Sequence, residues 1–69
     1  MKNKVSERIR ELRKELNIGQ AEFAKMCGVQ QSCVSKWERG ETLPDIETIL
    51  IIANIFDVTT DYLLGVSEF

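Results

Sequence analysis

At 69 residues the chain has room for one domain around one small core, and a composition 43% hydrophobic and 29% charged excludes a disordered segment. No apolar run reaches membrane-spanning length and no signal-peptide pattern opens the chain, so a soluble, cytoplasmic domain is expected. The net charge of −2 conceals a division: residues 1–40 hold all nine Lys and Arg and are net +4, whereas residues 41–69 hold six acids and no base. Screening acts over about 8 Å at physiological salt, so a polyanion would sense the first half and not the total.

Taken in chain order, Val5, Ile9, Leu12 and Leu16 recur at helical spacing and predict a first helix over about 4–16 with one apolar stripe. Arg8, Arg10 and Lys14 fall on other faces and are expected to be solvated. The segment Asn17 to Gly19 breaks the pattern, and Gly19 stands at the entry to a second helix over about 20–27. A third helix, over about 30–39, ends at Gly40 as a glycine stop.

The run from Gln20 to Arg39, QAEFAKMCGVQQSCVSKWER, carries the most information. Ala24 is small enough for two helix axes to cross closely there. Gly28 accepts the positive φ that a tight connection needs. Val34 and Trp37, three apart, share the inward face of the third helix. Gln31, Ser32, Ser35 and Lys36 occupy the opposite face, and all four can hydrogen-bond base edges or phosphates. These features predict a helix-turn-helix whose second helix suits a DNA groove.

Leu43 before Pro44 is held extended, so Glu41 to Pro44 form a loop. Asp45 reads as the N-cap of a fourth helix over about 46–56, with Ile46, Ile49, Leu50, Ala53 and Phe56 as its inward stripe. Thr59 reads as the cap of a last helix over about 60–64, where Tyr62, Leu63 and Leu64 close the core and Gly65 stops the helix. The fold class is therefore all-α, five helices in a single domain spanning residues 1–69. Cys27 and Cys33, with no His, cannot complete a zinc site within one chain, and both are expected as reduced thiols acting as small hydrophobes.

On the strength of IRELRKELNIGQAEFAK, GVQQSCVSKWERGETLPDIETI and ANIFDVTTDYLLG, in that order and spacing, residues 5–65 resemble the Cro/repressor-type, lambda-repressor-like helix-turn-helix family. The resemblance implies a compact five-helix DNA-binding domain. Gln20 matches a phosphate-contacting position at the head of the second helix. Gln31, Ser32 and Lys36 match base-reading positions, and Ser35 matches one that reaches a base or a phosphate. Arg39 and Thr42 match the loop that follows the DNA backbone. Arg13 and Glu38 match an ion pair joining the first and third helices.

Two departures stand out. Gly19 and Gln30 hold cap positions where the family has Ser or Thr. Glutamine caps poorly, so either the third helix starts elsewhere or Gln30 itself contacts phosphate. Ile51 is apolar where the family is polar; it and Ile55 are either extra core or, with Val66 and Phe69, a homodimer seam, and the seam is the favoured reading.

The resulting reading is a sequence-specific repressor that binds double-stranded DNA through the major groove, as a homodimer on an inverted repeat. No catalytic residue, metal or cofactor is expected, since the chain has no His, no paired-carboxylate pocket and no phosphate-cradling glycine loop. The alternative is a protein-interaction module, such as an antitoxin, that works through its acidic C-terminal half. The chain is compatible with being an excised domain of a longer repressor.

Overall fold

The computed structural model describes residues 4–68, which form five α-helices and no strand. These are α1 (Lys4–Glu15), α2 (Gln20–Cys27), α3 (Gln31–Arg39), α4 (Ile46–Phe56) and α5 (Thr60–Leu64). All five expected helices are present. Two boundaries differ by one residue: Leu16 falls outside α1, and Gln30 is the N-cap of α3 rather than its first residue.

One device ends every helix. A residue in the left-handed region follows the last turn, namely Asn17, Gly28, Gly40, Asp57 and Gly65. In each case its amide and the next one fold back onto carbonyls of the last turn, as in Gly28 N–H to Lys25 (3.2 Å) and Val29 N–H to Ala24 (3.0 Å). This paired arrangement satisfies carbonyls that would otherwise be orphaned, and it aims the following side chain back at the bundle. Ile18, Val29 and Val58 occupy that following position and pack against the core. The turns thus contribute to packing as well as to direction.

The core gathers Val5, Ile9 and Leu12 from α1, Phe23, Ala24 and Cys27 from α2, Val34 and Trp37 from α3, Ile49, Ile52 and Ala53 from α4, and Leu63 from α5. Phe23 is its centre, fully buried with its ring 5.3 Å from that of Phe56, a tilted arrangement aromatic pairs favour. Helix α2 packs on α3 and α4, and α1 bridges α3 and α5. The radius of gyration is 10.7 Å.

Four expectations about packing need correction. Leu16 is exposed, because α1 ends before it and the chain turns away. On α4 the buried stripe is Ile49, Ile52 and Ala53, whereas Ile46 and Leu50 face outward (81% and 57% exposed). Eight of its eleven residues are apolar, so its polar face is narrow, and the buried stripe is the side opposite Glu47 and Asn54. Arg8 is not solvated: it is buried, its guanidinium 3.9 Å from the Tyr62 ring centroid and 3.9 Å from the Glu68 carboxylate. That arrangement joins a cation–π contact to a charge pair, and it ties α1 to the C-terminal segment. Leu63 seals the core as expected, Tyr62 is half-buried beneath Arg8, and Leu64 points outward.

Candidate nucleic-acid interface

Helices α2 and α3 meet through a turn of three residues centred on Val29. Gly28 takes φ +75°, a region closed to most side chains, and that reversal sets the steep crossing of the two helices. Ala24 is buried at the approach of the helices. Val34 and Trp37 plunge into the core, which fixes the rotation of α3 and turns its other side outward.

Gln31, Ser32 and Lys36 lie on that outer side and are exposed. Gln30 is exposed immediately ahead of them, and Arg39 and Thr42 are exposed beyond the helix end. Hydrogen-bonding side chains of both donor and acceptor character therefore run along one face, with cations at its C-terminal end.

Beneath this face lies a buried polar lock. Glu38 accepts from Arg13 through both oxygens, Nε at 2.7 Å and Nη2 at 3.0 Å, and also from the Gln20 amide at 3.1 Å. Arg13 donates a further bond to the Ile18 carbonyl at 2.9 Å. Ser35 donates to the Gln20 side-chain oxygen at 3.1 Å. Helices α1, α2 and α3 are thereby pinned to one another by a single connected network. Burial alone would raise the Glu38 carboxyl, but hydrogen bonds from Arg13 and Gln20 and the charges of Arg13 and Arg10 outweigh it and hold it below its ordinary value. Glu38 is a structural anion at neutral pH.

The network also changes how two predicted residues are seen. Ser35 is half-buried and its hydroxyl is turned to Gln20 rather than outward. Gln20 is likewise half-buried, with its amide committed on both sides to α3. Both positions lie in the helix-turn-helix as expected, and their contact is a tertiary one between α2 and α3. Their separation by fifteen positions gives no local signal.

The helix starts divide into two classes. Asp45 and Thr59 cap α4 and α5 through bonds to Thr48 (2.9 Å) and Tyr62 (3.0 Å). Gly19 and Gln30 give α2 and α3 no side-chain cap. The two helices of the motif therefore present their first amides without a resident side-chain acceptor, an arrangement suited to an anion such as phosphate.

Of the residues expected at a dimer seam, Ile51 and Val66 are exposed, whereas Ile55 is half-buried and packs on the core. Phe69 lies outside the described residues. A separate apolar groove is lined by Ile46, Ile49, Leu50, Thr60 and Leu64. Cys27 and Cys33 are free thiols, the first buried and the second half-buried. Among the described residues no group of acidic, Cys or His side chains is arranged to hold a metal ion, and no helix is long and apolar enough to cross a membrane.

Comparison with known proteins matches residues 9–63 to the family model described as Helix-turn-helix. The chain is 45% identical over 60 residues to the repressor protein C2 of Salmonella phage P22, covering 87% of this chain and 28% of that protein. It is 36% identical over 62 residues to the cryptic phage CTXphi transcriptional repressor RstR of Vibrio cholerae, covering 90% of this chain and 55% of the repressor. The P22 c2 repressor solved in complex with a synthetic operator superposes with a TM-score of 0.85 at 43% identity, over 91% of this chain and 96% of that one. The chain thus spans from about a quarter to about half the length of these two curated relatives.

Proposed function

Because the chain belongs to the helix-turn-helix family, we propose that it is a sequence-specific, double-stranded-DNA-binding transcriptional repressor of the cytoplasm, acting without chemistry by occupying an operator. The observation that carries this reading is the exposed row of Gln31, Ser32 and Lys36 on a helix locked from behind by Glu38, Arg13 and Gln20. A base-reading helix needs its side chains free and its backbone fixed, and α3 combines the two. The likeness to a repressor solved on its operator supports the same reading.

In this arrangement α3 lies in the major groove. Gln31 pairs with an adenine through N6 and N7, Lys36 reaches guanine O6 or N7, and Ser32 completes the base contacts. Arg39 and Thr42 meet the DNA backbone beyond the helix. The amides at the uncapped starts of α2 and α3, beside Gln20 and Gln30, receive phosphates. Ser35 contributes by holding Gln20 in place.

A homodimer on an inverted repeat places two such helices about 34 Å apart, in successive turns of the groove. The groove lined by Ile46, Leu50 and Leu64, with neighbouring Ile51, is the surface we assign to the seam. Leu50→Glu should then give a monomer in sedimentation, and an unchanged mass would move the seam elsewhere.

Selection of bound duplexes from a random pool, followed by salt titration of the winner, tests the function. Recovery of an inverted repeat whose affinity falls steeply with salt is the expected result. Gln31→Ala should lose about 1–3 kcal/mol and relax preference at one base pair. A pool that yields no enriched sequence overturns the reading.

A further inference from the structure

The end of α3 carries an acid where a DNA-binding surface has least use for one. Gly40 reverses the chain at φ +77°, and the Glu41 amide returns to the Lys36 carbonyl at 2.9 Å. This turn holds Glu41 beside the last turn of α3, where its Oε2 accepts from Arg39 Nε at 2.6 Å. The two side chains are 52% and 55% exposed, so the pair lies open to solvent on the proposed backbone-facing loop. The bond from Arg39, and the charges of Arg39 and Lys36, keep the Glu41 carboxyl below its ordinary value, so it is fully ionised at neutral pH.

A carboxylate and a phosphate compete for the same guanidinium fork. Resting on the assignment of Arg39 to the DNA backbone, we infer that Glu41 is a built-in competitor, a stand-in for phosphate that a duplex must displace before Arg39 can engage it. The contact uses one of the five guanidinium N–H groups and is solvated, which makes it exchangeable. Its effect falls on the sequence-independent part of DNA affinity, which phosphate contacts supply almost entirely. Glu41 lowers that background at the point where the protein would first grip a backbone.

The test compares wild type with Glu41→Gln, Arg39→Gln and the double variant. Binding to an unrelated fluorescent duplex, and separately to labelled heparin as a polyanion without bases, is followed by anisotropy across a KCl series. Thermal melts confirm that each variant is folded. Glu41→Gln should bind both probes about 3- to 10-fold more tightly at low salt, with the slope of log K against log salt steeper by up to about 0.9, the value of one phosphate contact. In the Arg39→Gln background the same substitution should give little gain. Unchanged or weaker binding by Glu41→Gln overturns the inference. So does an equal gain with and without Arg39, since that would reflect net charge alone. If the duplex is not bound by any variant while the Arg39-dependent gain persists on heparin, the DNA-binding reading fails and the competitor role stands.

Discussion

Removing the Glu38 carboxylate should destabilise the domain as much as emptying part of its core. The side chain is 5% exposed and accepts three hydrogen bonds, two from Arg13, which is itself 13% exposed. Breaking a buried pair from one side costs about 3–5 kcal/mol, because the remaining charge stays buried without its partner. Here the cost is moderated, since Arg13 keeps its bond to the Ile18 carbonyl and retains some access to water. Glu38→Ala should therefore lose about 2–4 kcal/mol. A domain of this size is stable by only about 3–10 kcal/mol, so the variant sits near its unfolding limit. The acid side has a definite sign. The folded-state value of Glu38 is depressed, so its contribution is complete above the ordinary carboxylate value of 4.5 and is lost as pH falls through the lower folded value. Urea titrations followed by circular dichroism at pH 7 and pH 3 check both parts. The wild-type advantage over Glu38→Gln should shrink between those two pH values. The double variant Arg13→Met, Glu38→Leu should recover much of the loss, since no charge is then left buried. A Glu38→Ala variant within about 0.5 kcal/mol of wild type would refute the reasoning, because that is the range of ordinary surface substitutions.

Other consequences follow from single residues. Gly28→Ala introduces a Cβ with nothing within 4 Å, so its loss of about 1–2 kcal/mol in chemical denaturation comes from the positive φ alone; a loss near zero would mean the turn relaxes. Ile52→Ala should cost about 2–5 kcal/mol, while Asn54→Ala, on the same helix but exposed and away from the proposed seam, should stay within about 0.5 kcal/mol. Burial pushes the Cys27 thiol up to about 11; alkylation of the native protein at pH 8 should modify Cys33 well before Cys27, and equal rates would contradict the packing.

The sequence was most legible where chemistry is local. The stops at Gly28, Gly40 and Gly65 and the starts at Asp45 and Thr59, whose side chains act three residues away, are readable without tertiary information, whereas α4 stops on Asp57, which carries no such signal. Val34 and Trp37 were legible as core because α3 is polar on its other side, so only one face can be buried. Helix α4 offers less contrast: eight of the eleven residues of IETILIIANIF are apolar, the polar face marked by Glu47 and Asn54 is narrow, and Ile52, on the far side from it, is covered by what α2 and α5 bring against the helix while Ile46 and Leu50 are not. Arg8 was misread because a cation on a helix normally faces water. Its stacking on Tyr62 depends on a residue 54 positions away, contributed by α5. At the candidate interface the exposed residues of α3 followed from helical phase. The link from Ser35 through Gln20 to Glu38 followed from the crossing of two helices, which no periodicity encodes.

Gly65 lies so close to the Lys4 side chain that a Cβ at that position would collide with it. The path of the backbone is therefore almost a closed ring, its first helix and its last turn touching, with Arg8 reaching across the same junction to Glu68. A ring has no preferred starting point. Linking the start of α1 at Lys4 to the segment after Gly65 and opening the exposed stretch between Thr42 and Leu43 would leave every helix whole. The acidic half would then emerge from the ribosome before the basic one. What the bundle requires is adjacency of its helices in space, and their order of synthesis is incidental to it.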